Sequence, residues 1–347
     1  MMPYGVAVIG AGPGAGALHI PTLGALEDLF TLVHITDSGS GRAAELAALW
    51  GARSSVDIEK ALADPAVEVV ALVSPPDQHA RQIRAAVAAG VRGIFCEKPL
   101  ATQHADVDIV VDACRSAGIP LLVGTNHLHD AAWGRATHHL TAGSGAVQSV
   151  ALTLALPPNY RYHDVVSDAG PFPSPDRGRP DLADPVVAAA VLRQLLTGLA
   201  VHDMPAVRDL APRIERVLYA RLAPPIGYSV GFVASGVIVQ LVLTMLPDGH
   251  DALWRLTITT DGDRVDVDFP PAFVHAGSAA VTVRDHNGRL TEYRHDDQDG
   301  YVAEWQAFAR LVDGTDPVEY DDIRADAHYA IELADAASDL VRSGGAA

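Results

Sequence analysis

A glycine-rich run, Gly10-Ala11-Gly12-Pro13-Gly14-Ala15, follows an apolar stretch that ends at Ile9 and opens a helical one. In the order G-x-G-x-x-A, Gly10 makes a tight turn, Gly12 lets the backbone approach a pyrophosphate, and Ala15 permits close contact of helix and strand. Gly14 belongs to the same loop, and the helix N-terminus beyond it offers unbonded N–H groups and partial positive charge to phosphates. Asp37 closes the next apolar run. A carboxylate there accepts ribose hydroxyls and repels a 2′-phosphate, so the expected cofactor is NAD rather than NADP. Further along stands Glu97-Lys98-Pro99, and Lys60 and Lys98 are the only lysines among 25 basic residues. Lys98 falls at the carboxyl end of an apolar run, the end at which ligands bind in open α/β sheets.

The elements that must position these groups are legible in outline. From residue 4 to 126, short apolar runs (Val6–Ile9, Thr31–Thr36, Val67–Val73, Gly93–Cys96, Leu121–Gly124) alternate with alanine-rich helical stretches such as Arg42–Trp50 and His79–Ala89. Uninterrupted apolar strands are covered on both faces, and alternating βα units imply a doubly wound parallel sheet. Gly51, Gly90 and Gly118 stand where left-handed residues end helices. After residue 126 the pattern changes. A helix is expected over Asp130–Leu140, a strand over Val147–Leu156, and a long prolyl loop over Pro157–Pro185. Asp184-Pro185 is an N-cap pair opening a helix that runs towards Leu210, kinked or shortened at Pro205. β-Rich segments follow (Arg216–Leu222, Tyr228–Leu246, Trp254–Thr260, Val265–Phe269, Val281–Arg284), then helices over Tyr301–Val312 and Ile323–Ser343. The expected fold is a Rossmann domain, residues 1–126, followed by an α+β domain with a large antiparallel sheet, residues 127–347.

With these motifs in order, the chain resembles the Gfo/Idh/MocA family, the glucose–fructose oxidoreductases and inositol dehydrogenases. Gly10-x-Gly12-x-x-Ala15 followed by His19 is similar to the family's cofactor loop, and Ser74-Pro75-Pro76 with His79 to its third-strand cofactor turn. Ala88-Ala89-Gly90 leading to Glu97-Lys98-Pro99-Leu100 is similar to its most recognisable segment; Asn126, His202 and the stretch Tyr301–Val312 match later positions. The resemblance implies that Gly10, Gly12, Gly14, Ala15, Asp37, Ser74, Pro75, His79, Glu97, Lys98 and Asn126 bind the cofactor. It also implies a substrate on the open face of the second sheet, chemistry on a secondary alcohol or ketone of a sugar or cyclitol, and homo-oligomers formed through that sheet. Two positions depart from the family pattern. His127 replaces the usual arginine after Asn126, and Gly198 replaces the aspartate commonly found four residues before the histidine.

Oxidation of an alcohol needs a base for the hydroxyl proton while hydride leaves carbon. Unperturbed histidine titrates near 6.5 and lysine near 10.4, so His202 is assigned as base and Lys98 as the group that polarises the substrate oxygen. The reverse assignment remains open. His127, His129 and Arg161 are expected, with Lys98 and His202, to line the substrate cleft. With Gly198 in place of a carboxylate, the prolyl loop, which carries Asp164, Asp168, Asp176 and Asp181, is expected to close on bound substrate and supply either a carboxylate to His202 or contacts that exclude water. No metal site is expected, because the 15 histidines lack companion cysteines or zincin-like spacing.

The chain has 347 residues, 49% hydrophobic and 20% charged, which suits two folded domains and excludes wholesale disorder. A net charge of −18 without a basic block argues against nucleic-acid or anionic-membrane partners. No charged segment with a long apolar stretch precedes Val6, and the two cysteines make no disulfide framework, so a cytoplasmic protein is expected. The overall expectation is an NAD-dependent dehydrogenase for a hydroxyl of a sugar, aminosugar or cyclitol. The alternatives are an NADH-dependent keto-sugar reductase and a catalytically impaired NAD-binding regulatory protein.

Overall fold

The computed structural model describes residues 2–158 and 180–344. The first part is a parallel sheet of six strands: β1 (Tyr4–Ile9), β2 (Phe30–Thr36), β3 (Arg53–Ser55), β4 (Val69–Leu72), β5 (Gly93–Glu97) and β6 (Leu121–Gly124), in the order β3-β2-β1-β4-β5-β6. All six β1 residues are buried, as expected of a strand covered on both faces. A π-wound turn, Ala15–His19, leads into α1 (Ile20–Ala25); α2 (Arg42–Trp50), α3 (Ile58–Leu62), α4 (Pro76–Ala89) and α5 (His104–Ala117) complete the layers. Gly51, Gly90 and Gly118 end α2, α4 and α5 with φ of 68°, 72° and 65°, the left-handed caps that the sequence signals. β3 lacks an apolar signal because its Arg-Ser-Ser sequence sits at the sheet edge, paired only with β2. β1 and β4 lie side by side where the strand order reverses, so their carboxyl ends open into one crevice.

Two short helices, α6 (Asn126–His129) and α7 (Ala131–Thr141), lead into the second sheet. Its eight strands are β7 (Val147–Leu156), β8 (Ile214–Leu222), β9 (Ile226–Ala234), β10 (Val237–Met245), β11 (Leu253–Thr260), β12 (Asp263–Asp268), β13 (Ala280–Asp285) and β14 (Leu290–Tyr293), in the order β14-β13-β12-β11-β7-β10-β9-β8. The expected antiparallel sheet is mixed: β10 pairs with β7 in parallel, while the other pairs are antiparallel. The single segment Tyr228–Leu246 is a hairpin turning at Ser235-Gly236, both with positive φ (50° and 78°). Alternate residues Val150, Leu152, Leu154 and Leu156 of β7 point into the core with Trp254, Leu256 and Ile258 of β11.

One correction bears on the site. The helix expected to run to Leu210 is broken: α8 spans Pro185–Gly198, a tight 3₁₀ turn holds Ala200–His202, and α9 spans Met204–Leu210. Pro205 lies in the first turn of α9, where its missing N–H costs nothing. Asp184 caps α8 by accepting from the Val186 N–H at 2.8 Å, as its sequence predicts. Pro185–His202 is also the one helical stretch among the described residues long and apolar enough to cross a membrane by composition; it buries Leu192, Leu195 and Leu196 in the second core. The chain ends with α10 (Gly300–Val312) and α11 (Tyr320–Arg342). α10 returns to the first sheet, stacking Trp305 on Phe95 at 4.5 Å and 2°.

Candidate active site

The crevice beyond β1 and β4 is a cleft of about 840 Å³, lined by Gly10, Gly12, Asp37, Ser74, Pro75 and Gln82 among others. Gly10 adopts φ 113°, and a Cβ there would lie 2.5 Å from the Val73 carbonyl oxygen, so only glycine makes this turn. A Cβ on Gly12 or Gly14 would meet no atom within 4 Å, so the loop presents bare backbone to open space. The Ser74 hydroxyl donates to Gln82 at 2.5 Å, tying the turn after β4 to α4. Asp37 accepts from the Gly39 N–H at 2.8 Å, the Ala43 N–H at 3.1 Å and the Ser40 hydroxyl. Burial opposes its charge, but these hydrogen bonds, led by that of Ser40, outweigh it and hold the carboxyl below the usual aspartate value. An ionised carboxylate, an open glycine turn and a cleft of this size suit a dinucleotide with its ribose at Asp37.

Glu97 and Lys98 leave the end of β5 in different directions. Glu97 accepts from His19 Nε2 at 2.9 Å and from the Lys98 N–H at 3.1 Å. Trp305 Nε1 donates to His19 Nδ1 at 3.2 Å, which places the ring proton on Nε2. Glu304 lies beside this pair, fully buried, its carboxyl unpartnered among the described residues. Burial, with Glu97 and Asp299 adding, raises its pKa well above the ordinary carboxylate value and favours the protonated form. His19, Glu97 and Glu304 lie close enough to suggest a metal trio, but Trp305 and Glu97 use both nitrogens of His19 and leave no lone pair for an ion. Lys98 Nζ instead donates to the Gly198 carbonyl oxygen at 2.7 Å, and burial, opposed by Glu97, lowers its pKa.

The break after Gly198 brings His202, the last residue of the 3₁₀ turn, and Asp203 after it against two consecutive residues of α6. His202 Nδ1 donates to Asn126 Oδ1 at 2.8 Å, and His127 Nδ1 donates to Asp203 Oδ1 at 2.9 Å. The two rings stand 5.4 Å apart, and Trp254 touches both. His202 is 3% exposed; burial, then Lys98 and His127, lower its pKa well below the ordinary histidine value. It is therefore neutral at pH 7, with Nδ1–H held by an amide and Nε2 a lone pair, the form a base requires.

Other expected site residues fall elsewhere. Asn126 accepts from His202 and is not among the residues that line the cleft at the glycine turn. His79 is fully buried, with Nδ1 at the Pro99 carbonyl and Nε2 at that of Ser74, so it ties the two turns together from behind the cleft. His129 lines a separate, mainly apolar cavity of about 260 Å³ beside Lys98, and burial pushes its pKa down to about 4. Arg161, Asp164, Asp168 and Asp176 lie outside the described residues. Asp181 caps its own turn by accepting from the Ala183 N–H at 3.1 Å. Among the described residues the partner of His202 Nδ1 is Asn126, which the sequence shows only as a family match. Trp254 carries no sequence signal, and the one cue for Asp203 is its adjacency to His202, matched by that of His127 to Asn126.

A family model described as an oxidoreductase family with an NAD-binding Rossmann fold, GFO_IDH_MocA, matches residues 4–125. Inositol 2-dehydrogenase 2 of Saccharopolyspora erythraea is 30% identical over 278 residues, 80% of this chain and 68% of that protein. The chain belongs to the Gfo/Idh/MocA oxidoreductase family. Three other relatives align over only 44%, 42% and 37% of their own lengths, so the chain matches less than half of each. Among solved structures, the UDP-N-acetylglucosamine 3-dehydrogenase of Acidithiobacillus ferrooxidans superposes with TM-score 0.73 at 19% identity, covering 98% of this chain and 100% of that one. A lysine-to-alanine mutant of the 3-ketoreductase of Actinomadura kijaniata, solved with TDP-benzene and NADP, gives 0.72 at 20% identity over 99% and 98%. At such identity these structures establish the shared fold of a Gfo/Idh/MocA protein, both sheets included.

Proposed function

We propose that this Gfo/Idh/MocA protein is an NAD-dependent dehydrogenase that oxidises a secondary hydroxyl of a sugar, aminosugar or cyclitol. The observation that carries the reading is His202: buried, neutral, fixed through Nδ1 by Asn126, and close enough to Lys98 for that ammonium to depress its pKa. When bound, the nicotinamide supplies the hydride acceptor. The protein binds the dinucleotide on the glycine turn, with Asp37 at the adenosine ribose. His202 Nε2 takes the hydroxyl proton, and the Lys98 ammonium hydrogen-bonds the same oxygen as negative charge develops. Lys98 is held ready at the Gly198 carbonyl and is released to the substrate oxygen.

The same atoms serve the reverse reaction, and the likeness to a 3-ketoreductase supports a keto-sugar as substrate in that direction. The Asp37 carboxylate favours NAD, although that ketoreductase was solved with NADP. We extend the reading to a cytoplasmic homo-oligomer associating through the outer face of the second sheet, where Ile238 is 58% exposed. The test is absorbance of the reduced cofactor with NAD or NADP and a panel of inositols, aldoses and aminosugars. Turnover that disappears in His202→Ala while NAD still binds is expected. A protein that neither reduces NAD(P) with any polyol nor oxidises NAD(P)H with any keto-sugar overturns the reading and revives the regulatory alternative.

A further inference from the structure

The cavity of about 260 Å³ beside Lys98 shares no lining residue with the cleft at the glycine turn. It lies along the edge strand β6, between that strand, the Lys98 turn, α9 and α11. Leu100, Leu121, Leu122, Ala330 and Ile331 line it and are all buried. Glu319 and Asp322, also in its wall, are exposed, so the cavity opens to solvent on their side. An apolar cavity of roughly 150 Å³ is enough to hold benzene, so this one admits a two-ring system.

The polar groups of the wall differ in what they can still bind. Thr125 and Thr197 give their hydroxyl protons to the Val123 and Arg193 carbonyls, and Lys98 gives one to that of Gly198. Asp322 and Asp326 both accept from Arg208. His129 has no hydrogen-bond partner among the described residues. Burial, with Arg310 adding, holds its pKa at about 4, so the ring is neutral at pH 7 and offers one N–H and one lone pair. An apolar chamber with one such group suits an aromatic ring that bears a hydroxyl. The three acids Glu319, Asp322 and Asp326 and the apolar walls together disfavour an anion.

We propose that this cavity is a second ligand site, which takes a neutral aromatic alcohol with its ring among the leucines and its hydroxyl on His129. The site stands independently of the dehydrogenase reading, and Lys98 in its wall serves as a reporter.

Lys60 and Lys98 are the only lysines, so protein labelled with ¹³Cε-lysine and loaded with NADH gives two such signals. The probes are 2-naphthol and 2-naphthoate. The ring current of 2-naphthol is expected to shift the Lys98 signal saturably, to leave exposed Lys60 in place, and to come with cross-peaks from the ring to the Ile331 methyls. The naphthoate is expected to bind about tenfold more weakly or worse. His129→Leu is expected to weaken 2-naphthol by about tenfold, roughly one hydrogen bond's worth. Ala330→Leu fills the cavity and is expected to abolish the Lys98 shift. The same shift and midpoint in Ala330→Leu, or a shift without the Ile331 cross-peaks, puts the ring elsewhere and overturns the proposal, as does the absence of a saturable shift. Equal affinity for the naphthoate, or unchanged affinity in His129→Leu, contradicts the ligand class. If Ala330→Leu does not fold, the Ile331 cross-peaks decide alone.

Discussion

Two imidazoles stand 5.4 Å apart in this site and are held by opposite kinds of partner. His202 gives its Nδ1 proton to a neutral amide, Asn126, and His127 gives its own to a buried carboxylate, Asp203. Both rings are almost wholly buried. An amide orients a ring without adding charge, so burial and Lys98 govern His202 and keep it neutral. A carboxylate orients the ring and also supplies negative charge inside the protein, where charge is expensive unless paired. On the proposed reading proton transfer belongs to the first ring, while the second is locked in place by Asp203. It also shows that the missing carboxylate at Gly198 is not replaced at His202 by another carboxylate among the described residues.

The largest expected effect comes from Lys98, whose ammonium lies close enough to His202 to help lower its pKa. Lys98→Met leaves NAD affinity nearly intact and lowers kcat by about two to four decades, the range of acid–base and oxyanion groups. Fluorescence titration with NADH alongside initial rates separates the two effects, and a variant with wild-type turnover removes Lys98 from the mechanism. Asp203→Asn attacks the second pair. The carboxylate accepts from His127 and Trp254 on its two oxygens, so the amide sets an N–H against one of those donors. A loss of about 1–3 kcal/mol in unfolding free energy is expected, read by denaturant melts; an unchanged midpoint means that the pair is not formed as described. Asp37→Ser is the smallest change, raising NADP affinity relative to NAD by about tenfold, roughly one hydrogen bond's worth. A wild type that already binds NADP as tightly as NAD contradicts the role given to Asp37.

The cofactor half of the molecule was legible because its chemistry is made by local backbone. The Gly10 turn, the glycine caps and the apolar strands each follow from residues adjacent in sequence. The histidine pair was legible only in part, since it joins residues 76 positions apart through a helix break that no proline or glycine rule placed correctly. Pro205 suggested a kink at itself, whereas the α-helix ends seven residues earlier, at Gly198. The turn that follows swings Asp203 away from the His202 ring and onto His127. Edge strands β3 and β14 were missed for a simpler reason. Their sequences, Arg-Ser-Ser and Leu-Thr-Glu-Tyr, bury little and so show no alternation.

The central claim is that His202, held by an amide, is a neutral base with a depressed pKa. The most direct measurement is the pH profile of kcat/KM for cofactor reduction, from roughly pH 5 to 9, in the wild type and in Asn126→Asp. A base must be unprotonated, so activity falls as pH drops through its pKa, and the wild-type acid limb is expected below the ordinary histidine value of about 6.5. In Asn126→Asp the partner becomes a carboxylate like that of His127, stabilises the imidazolium, and moves the limb upward by about one to two pH units. A wild-type limb above about 6.5, or one that stays in place when the carboxylate is installed, contradicts the account.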